Sequence, residues 1–244
     1  MKKLAVLNIE KANHYANLAQ IAYLDDKESK PHFKKLGYDW HLFIESDGAQ
    51  CHIVKNTKLN ELAICFRGTE PDELSDLLAD LNAWPRRSVR GDGWVHSGFR
   101  GEIDKIWPSI VKTVDKYPNY KLYICGHSLG AAMATLCASR LQHQAFILYT
   151  YGSPRVGTRS FVKNLNVAHF RFVNNNDVVT RVPLRFMGYK HHGQLVYINH
   201  YGKIRKMTPW QRIKDRFRGY KSGILDPVLD HGMLNYIKYT IKED

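Results

Sequence analysis

The chain has 244 residues, enough to bury a sizeable core without disulfides or a structural metal. Its 36 lysines and arginines outnumber its 23 aspartates and glutamates, so the formal net charge is +13. Such a surplus suits nucleic acid, an anionic membrane surface or an acidic substrate. No recognised nucleic-acid motif accompanies the basic residues, and we therefore expect no nucleic-acid partner.

The cysteines and the N-terminus indicate the cellular compartment in which the protein is expected. None of the four cysteines forms a C-x-x-C pair and all lie in apolar runs, so we expect reduced core thiols. The apolar run Leu4–Leu7 is shorter than a signal peptide requires, and no run approaches the roughly 20 residues of a transmembrane helix. The sequence predicts a protein that is cytoplasmic or exported by an unrecognised route, with only peripheral membrane contact.

The first quarter of the chain has the pattern of one helix followed by three strands. Small and aromatic residues recur at helical spacing over Ile9–Leu24. Tyr38–Glu45, Gln50–Lys55 and Leu62–Phe66 are short runs with aromatic and β-branched residues, separated by turn residues. We predict that these three runs form an antiparallel meander.

Farther along, apolar strands alternate with helices. Leu122–Cys125 and Phe146–Tyr151 are strand-like, and Ser128–Leu141 between them is helical. The alternation is typical of a buried parallel sheet, whose ligand sites lie at the carboxyl ends of the strands. Further elements are the strands Ala168–Val173 and Leu195–Ile198 and the helix His231–Ile241. With no repeat or linker, residues 1–244 are predicted to form a single α/β domain.

Ser128 is the candidate nucleophile. It lies in Gly126-His127-Ser128-Leu129-Gly130, a G-x-S-x-G pattern that follows an apolar strand and opens a helix. In this context the pattern predicts a sharp, strained turn that exposes the serine hydroxyl above the sheet. Side chains at positions 126 and 130 would collide with the neighbouring strand and helix. The alternative is an idle serine in an ordinary glycine-bounded turn.

A serine nucleophile needs a histidine base, and the base needs an acid that fixes its tautomer. In hydrolases of the α/β type the chain order is serine, acid, histidine. Asp177 follows the strand-like run Ala168–Val173 and is the predicted acid, although Asn-rich loops also use aspartate simply to form turns. His231, in a loop before the last helix, is the predicted base. The alternative bases are His191, His192 and His200.

Two residues are candidates for an oxyanion hole. Leu129, directly after the nucleophile, supplies one backbone N–H. Thr69 follows the apolar run Leu62–Phe66 and could donate both its backbone N–H and its hydroxyl. Alternatively, residues 67–69 are only a turn before a helix that carries Leu74, Leu77, Leu78 and Leu81.

Five blocks of the sequence resemble the class 3 (fungal-type) lipase family in that family's order, and the resemblance extends from about Leu62 to the C-terminus. The blocks are Phe66-Arg67-Gly68-Thr69, Val95-His96-Ser97-Gly98-Phe99, Gly126 to Ala132, Tyr151 to Gly157 and Val173 to Val179. The resemblance implies an α/β-hydrolase fold, with a mostly parallel central sheet flanked by helices. It also implies catalytic roles for Ser128, Asp177 and His231, an oxyanion hole at Thr69 and Leu129, and a lid over residues 70–94.

A short helix is predicted over residues 208–221. It lies in a basic segment for which we can assign no counterpart in that family. Thr208 can cap the helix, Pro209 suits its first position and Gln211 completes a capping box. One face carries Trp210, Ile213 and Phe217, and Arg212, Arg216 and Arg218 point elsewhere. Two interpretations remain open: the apolar face packs on the domain, or it docks on an anionic lipid surface.

The sequence supports two classes of function. The first is a serine hydrolase that cleaves carboxylic esters of lipids, as a triacylglycerol lipase or esterase does, through an acyl-enzyme intermediate. Within that class, phospholipase A1-type or short-chain esterase activity is an alternative. The second class is a non-catalytic lipid-binding protein. The expected partner is a lipid or other apolar ester, and we expect no cofactor and no metal ion.

Overall fold

A computed structural model of the protein describes residues 5–69, 84–221 and 229–241. Of the predicted lid, only residues 84–94 fall within these ranges. The leucine-bearing helix predicted around Leu74 to Leu81 therefore lies outside the described residues.

The helices and strands follow the predicted order, with additional elements between them. The helices are α1 (Ile9–Ile21), α2 (Asp26–Lys35), α3 (Ser97–Val114), α4 (Leu129–Arg140), α5 (Arg159–Asn164), α6 (Pro209–Lys221) and α7 (Met233–Thr240). The strands are β1 (Trp40–Ser46), β2 (Ala49–Asn56), β3 (Glu61–Phe66), β4 (Pro85–Arg87), β5 (Trp94–His96), β6 (Lys121–His127), β7 (Ala145–Tyr151), β8 (Gly157–Thr158), β9 (Ala168–Asn174), β10 (Tyr189–Lys190) and β11 (Gln194–Ile198). Single 3₁₀ turns cover Val179–Arg181, Arg185–Met187 and Leu229–His231.

The central sheet has seven strands in the order β1-β2-β3-β6-β7-β9-β11. Strands β1 to β3 form the predicted antiparallel meander, and every pair from β3 to β11 is parallel. Parallel neighbours need a crossover, which α4 supplies between β6 and β7. A smaller antiparallel sheet joins the short strands in the order β10-β8-β5-β4.

Apolar side chains form one core on each face of the central sheet. Because successive strand residues point to opposite faces, Ile64 and Ile124 belong to one core, and their neighbours Cys65 and Cys125 belong to the other. On the second face Tyr15 of α1 stacks between two strand tyrosines, with ring centroids 4.9 and 4.8 Å away. The four cysteines are buried and unpaired, which confirms the expectation of reduced thiols.

Helix α6 begins where the sequence predicts, and its apolar face is exposed to solvent. The N–H of Thr208 donates to Gln211 Oε1 at 2.8 Å, and the N–H of Gln211 donates to Thr208 Oγ1 at 3.3 Å, which completes the capping box. Trp210, Ile213 and Phe217 are 64%, 40% and 66% exposed. The interpretation that this apolar face packs on the domain is therefore wrong.

A buried carboxylate holds α6 on the protein instead. Asp215 accepts hydrogen bonds from the Tyr197 hydroxyl at 3.1 Å and from the His200 N–H at 3.0 Å. Both donors lie on or just after β11, so the polar side of α6 faces the sheet.

None of the described helices is long and apolar enough to cross a membrane.

Candidate active site

Ser128 stands at the junction of β6 and α4 in a strained backbone conformation. Its φ of 54° and ψ of −126° lie where non-glycine residues are rare. A Cβ on Gly126 would lie 2.4 Å from the carbonyl oxygen of Gly130, and a Cβ on Gly130 would lie 2.4 Å from that of Phe66. The first turn of α4 thus touches the ends of both β6 and β3, and no side chain fits at either glycine, as predicted.

The structure brings Asp177 and His231 together although 54 residues separate them. His231 Nδ1 lies 2.9 Å from Asp177 Oδ2, and the carboxylate is fully buried. The other carboxylate oxygen, Oδ1, accepts the N–H groups of Val179 at 2.9 Å and Thr180 at 3.4 Å. Donors on both oxygens stabilise the buried ion and orient it toward the imidazole.

Tyr236 of α7 adds a further donor to this carboxylate. Its hydroxyl donates to Asp177 Oδ2 at 2.5 Å and accepts the N–H of Asn174 at 3.0 Å. Burial raises the pKa of Tyr236 well above its usual value, so the phenol keeps its proton and acts as the donor. Tyr236 therefore fixes the position of the acid.

His127, the residue before Ser128, holds the backbone of His231. Its Nε2 lies 2.7 Å from the His231 carbonyl oxygen, and its Nδ1 lies 2.7 Å from the Tyr23 hydroxyl. Burial lowers the pKa of His127, so the ring is neutral. A carbonyl can only accept, so Nε2 carries the proton and Nδ1 accepts from Tyr23. The two imidazoles also stack, with centroids 4.4 Å apart.

Gly152 leaves room for the histidine and the acid. It follows β7 with a φ of +59°, a conformation that favours glycine. A Cβ here would lie 2.7 Å from His231 Cε1 and 2.9 Å from Asp177 Oδ2. A side chain at position 152 would therefore push the pair apart.

The candidate nucleophile and base are not hydrogen-bonded to each other. Ser128 Oγ and His231 Nε2 are both buried, and neither has a hydrogen-bond partner among the described residues. In enzymes without bound substrate, catalytic hydrogen bonds of this kind are often long or unformed.

The alternative histidines have other partners. His191 Nε2 lies 2.8 Å from the Thr180 carbonyl oxygen, and His192 Nδ1 lies 3.1 Å from the Nδ1 of His169. His200 bonds Asp215 through its backbone N–H. Among the described residues, His231 is the one histidine that hydrogen-bonds Asp177.

Thr69 and Leu129 line the same cavity, which measures about 360 Å³. Leu129 directly follows Ser128 in the chain. The other walls of the cavity come from β2, the end of β3 and α4, including Gln50, Arg67 and Met133. The structure thus places both predicted oxyanion residues at one cavity.

Four residues of the site were outside the sequence prediction: Tyr23, His127, Gly152 and Tyr236. Gly152 and His127 lie inside motifs, where a required glycine and a polar residue next to the nucleophile are usable signals. The two tyrosines carry no such signal, because a tyrosine at helical spacing in the sequence has the same pattern whether it packs or donates a hydrogen bond.

The comparisons with known proteins agree with this geometry. The sequence model of the class 3 lipase family matches residues 63–187. Lipase ZK262.3 of Caenorhabditis elegans is 35% identical over 147 residues, covering 54% of this chain and 40% of that protein. Secreted mono- and diacylglycerol lipase A of Penicillium cyclopium is 37% identical over 131 residues, covering 52% of this chain and 39% of that protein. The chain thus spans about 40% of the length of the curated relatives it matches.

A solved structure of a mutant form of MDLA from Penicillium cyclopium is similar with a TM-score of 0.66 and 26% identity. The match covers 80% of this chain and 82% of that one. Together with the mostly parallel sheet flanked by helices, this similarity confirms the predicted α/β-hydrolase fold.

Replacing Tyr236 with phenylalanine is expected to lower the free energy of unfolding by about 1.5–3 kcal/mol, because a buried carboxylate loses a hydrogen-bond donor. Tyr239→Phe, on the same helix, is the matched control, since the Tyr239 hydroxyl makes no hydrogen bond with a described residue. Urea denaturation of the two variants measures the difference. Equal stability of Tyr236→Phe and the wild type would show that Tyr236 does not support Asp177.

Proposed function

The chain belongs to the class 3 lipase family, and on that premise we propose that it is a serine hydrolase that cleaves carboxylic esters of lipids. The observation that carries the proposal is the 2.9 Å contact between His231 and the buried Asp177, next to a serine on a strained strand-to-helix turn. Each group that acyl transfer requires has a candidate here.

In the proposed reaction, Ser128 Oγ attacks the ester carbonyl carbon while His231 Nε2 takes the hydroxyl proton. Asp177 stabilises the imidazolium, which then returns the proton to the departing alcohol. The product of this step is an acyl-enzyme. A water molecule, deprotonated by the same imidazole, attacks the acyl group, and the carboxylic acid leaves as Ser128 recovers its proton.

We infer that Leu129 and Thr69 stabilise the tetrahedral oxyanion. The N–H of Leu129 belongs to the first turn of α4, where free N–H groups and the helix dipole both favour negative charge. Thr69 offers a second N–H and a hydroxyl at the same cavity. Donors that are already in place need no reorganisation when charge develops.

The lid role of residues 70–94 stays a prediction, because residues 70–83 lie outside the described residues. In the described part, Trp84 is almost fully exposed. A closed lid would cover the site, and its opening would admit the substrate.

Mono- and diacylglycerols are candidate substrates, since a Penicillium cyclopium relative is named for them. A triacylglycerol, a phospholipid and short-chain esters are the other substrates to compare. One panel of p-nitrophenyl esters of increasing chain length, extended with a diacylglycerol and a phospholipid, would distinguish them.

We further propose that α6 docks the protein on an anionic lipid surface. Its aromatic side chains Trp210 and Phe217 are exposed, and Lys214 and Arg218 are exposed beside them. Aromatic and basic side chains together suit the boundary between lipid headgroups and acyl chains. Asn175 and Asn176, directly before the candidate acid, bond Arg216 of α6, so docking would occur beside the site.

Ser128→Ala and His231→Ala are each expected to lower kcat by roughly 10⁴–10⁶, because the members of a triad act as a unit. An organophosphonate should add its mass to Ser128 in the wild type, whereas Ser128→Ala stays unlabelled. The control is His200→Ala, which removes one of the alternative bases and should keep near-normal turnover. A folded wild type that binds lipid but shows neither labelling nor hydrolysis would establish the non-catalytic alternative.

Thr69→Val deletes a hydroxyl but keeps the shape and the backbone N–H. If the hydroxyl holds the oxyanion, kcat/KM should fall by about 10²–10³. Thr69→Ser, which keeps the hydroxyl, should restore most of the activity. An unchanged rate in Thr69→Val would leave the side chain without a role in the oxyanion hole.

Binding to vesicles that contain phosphatidylglycerol is expected at low salt and is expected to weaken strongly at 1 M salt, where the Debye length is only about 3 Å. The double variant Lys214→Glu with Arg218→Glu should bind at least about 30-fold more weakly, since each basic residue near the surface contributes about 1 kcal/mol. Lys34→Glu with Lys35→Glu on α2 makes the same charge change elsewhere and should bind normally. Binding that ignores both salt and the α6 reversals would refute docking through this helix.

A further inference from the structure

Arg171, in the middle of β9, is a buried cation for which the described residues supply no partner. Arg171 is 8% exposed, and its guanidinium makes no hydrogen bond or ion pair with a described residue. The Nε atom is fully buried and lacks a partner. Burial lowers the pKa of Arg171 to about 9, so the group still carries its charge at neutral pH.

The neighbouring strands supply no negative charge to Arg171. Residues paired in register on adjacent parallel strands point to the same face of a sheet. The register neighbours of Arg171 are Thr150 on β7 and Leu195 on β11. Thr150 Oγ1 already lies 2.8 Å from His169 Nε2, and Leu195 is apolar.

Other nearby groups make the surroundings more positive. Arg155, Arg212 and Arg185 all disfavour the charged form of Arg171, after burial itself. Two buried carboxylates of the region have other partners: Asp177 binds His231, and Asp215 binds Tyr197. A buried charge without compensation is strongly unfavourable, so a counter-ion is expected.

A small cavity lies where that counter-ion would sit. Arg171 lines it together with Lys190, His169, His191 and His192, and no acidic residue is found among its described lining. The cavity has about 10 Å³ of space for a water-sized sphere, which corresponds to roughly one water molecule. Burial, followed by the charges of Arg171 and Arg155, lowers the pKa of His191, so its ring is neutral and adds no charge of its own.

We propose that this cavity, the Arg171 cavity, binds a halide ion, which in a cell is chloride. A chloride ion is only slightly larger than a water molecule and carries the single negative charge that would neutralise Arg171. It can also accept hydrogen bonds from several N–H groups at once. Phosphate, sulfate and carboxylates are too large for the space. The ion joins β9, which leads into Asp177, to the segment around Lys190. The inference rests on the buried, uncompensated positive charge of Arg171 and is independent of the proposed activity.

Thermal unfolding of the wild type in sodium chloride tests the proposal. Ionic strength is held constant with sodium gluconate, whose anion cannot enter the cavity. A specific site raises Tm by about 3–6 °C for each tenfold increase in chloride above the Kd. Sodium bromide should act in the same way. A Tm that does not respond to the exchange of gluconate for chloride overturns the proposal, as does protection by phosphate but not by chloride.

Two substitutions at Leu195 test the location of the ion. Leu195→Glu places a carboxylate in register with Arg171, which supplies the missing charge from within the protein, and should abolish the dependence of Tm on chloride. Leu195→Gln is nearly the same size without the charge and should keep that dependence. If the two variants respond equally to chloride, the ion does not sit at Arg171.

Bromide provides a direct measurement that needs no variant. Crystals of the wild type soaked in sodium bromide should show an anomalous diffraction peak inside the Arg171 cavity, within hydrogen-bond distance of the guanidinium. Bromide peaks confined to the surface, with water alone in the cavity, would refute the assignment even if Leu195→Glu failed to fold.

Discussion

The close approach of α4 to the ends of β3 and β6 is the constraint on which the candidate site depends. At Gly126 and Gly130 the backbones are too near for any Cβ, and Ser128 between them takes a strained φ of 54°. This arrangement places the N–H of Leu129 at the cavity that Thr69 also lines. It also sets His127 where its ring supports His231. The candidate nucleophile, oxyanion donors and base are therefore positioned by one packing contact.

Strand β9 and the loop that follows it hold two buried ionisable side chains, Arg171 and Asp177, whose surroundings differ. The strand leads into Asp177, whose oxygens receive backbone, tyrosine and imidazole donors, so the protein itself satisfies this anion. Arg171 lies six residues earlier in the sequence, and its register neighbours are a threonine and a leucine. A charge satisfied within the chain needs no ligand, whereas the cation depends on the solution for its compensation.

The sequence predicts those parts of the structure that strand ends and periodic spacing determine. Ser128 and Asp177 were predictable because parallel strands end at one edge of the sheet, whereas the prediction of His231 rested on its place before the last helix and on the family resemblance. Helix α2 was not, since Phe33 is the single large apolar residue among its ten positions. For α6 the spacing predicted the apolar face but not its direction, which the buried Asp215 determines. Tyr23 and Tyr236 depend on contacts between distant segments, which local patterns do not record.

The contact between His127 and Tyr23 shows that the candidate site combines residues from distant parts of the chain. The segment that matches the family sequence, residues 63–187, holds Ser128 and Asp177, but Tyr23 precedes it and His231 follows it. A fragment trimmed to that segment would retain the recognisable motifs and lose the candidate base. Separately expressed fragments divided on either side of it would complete the candidate site only on reassociation.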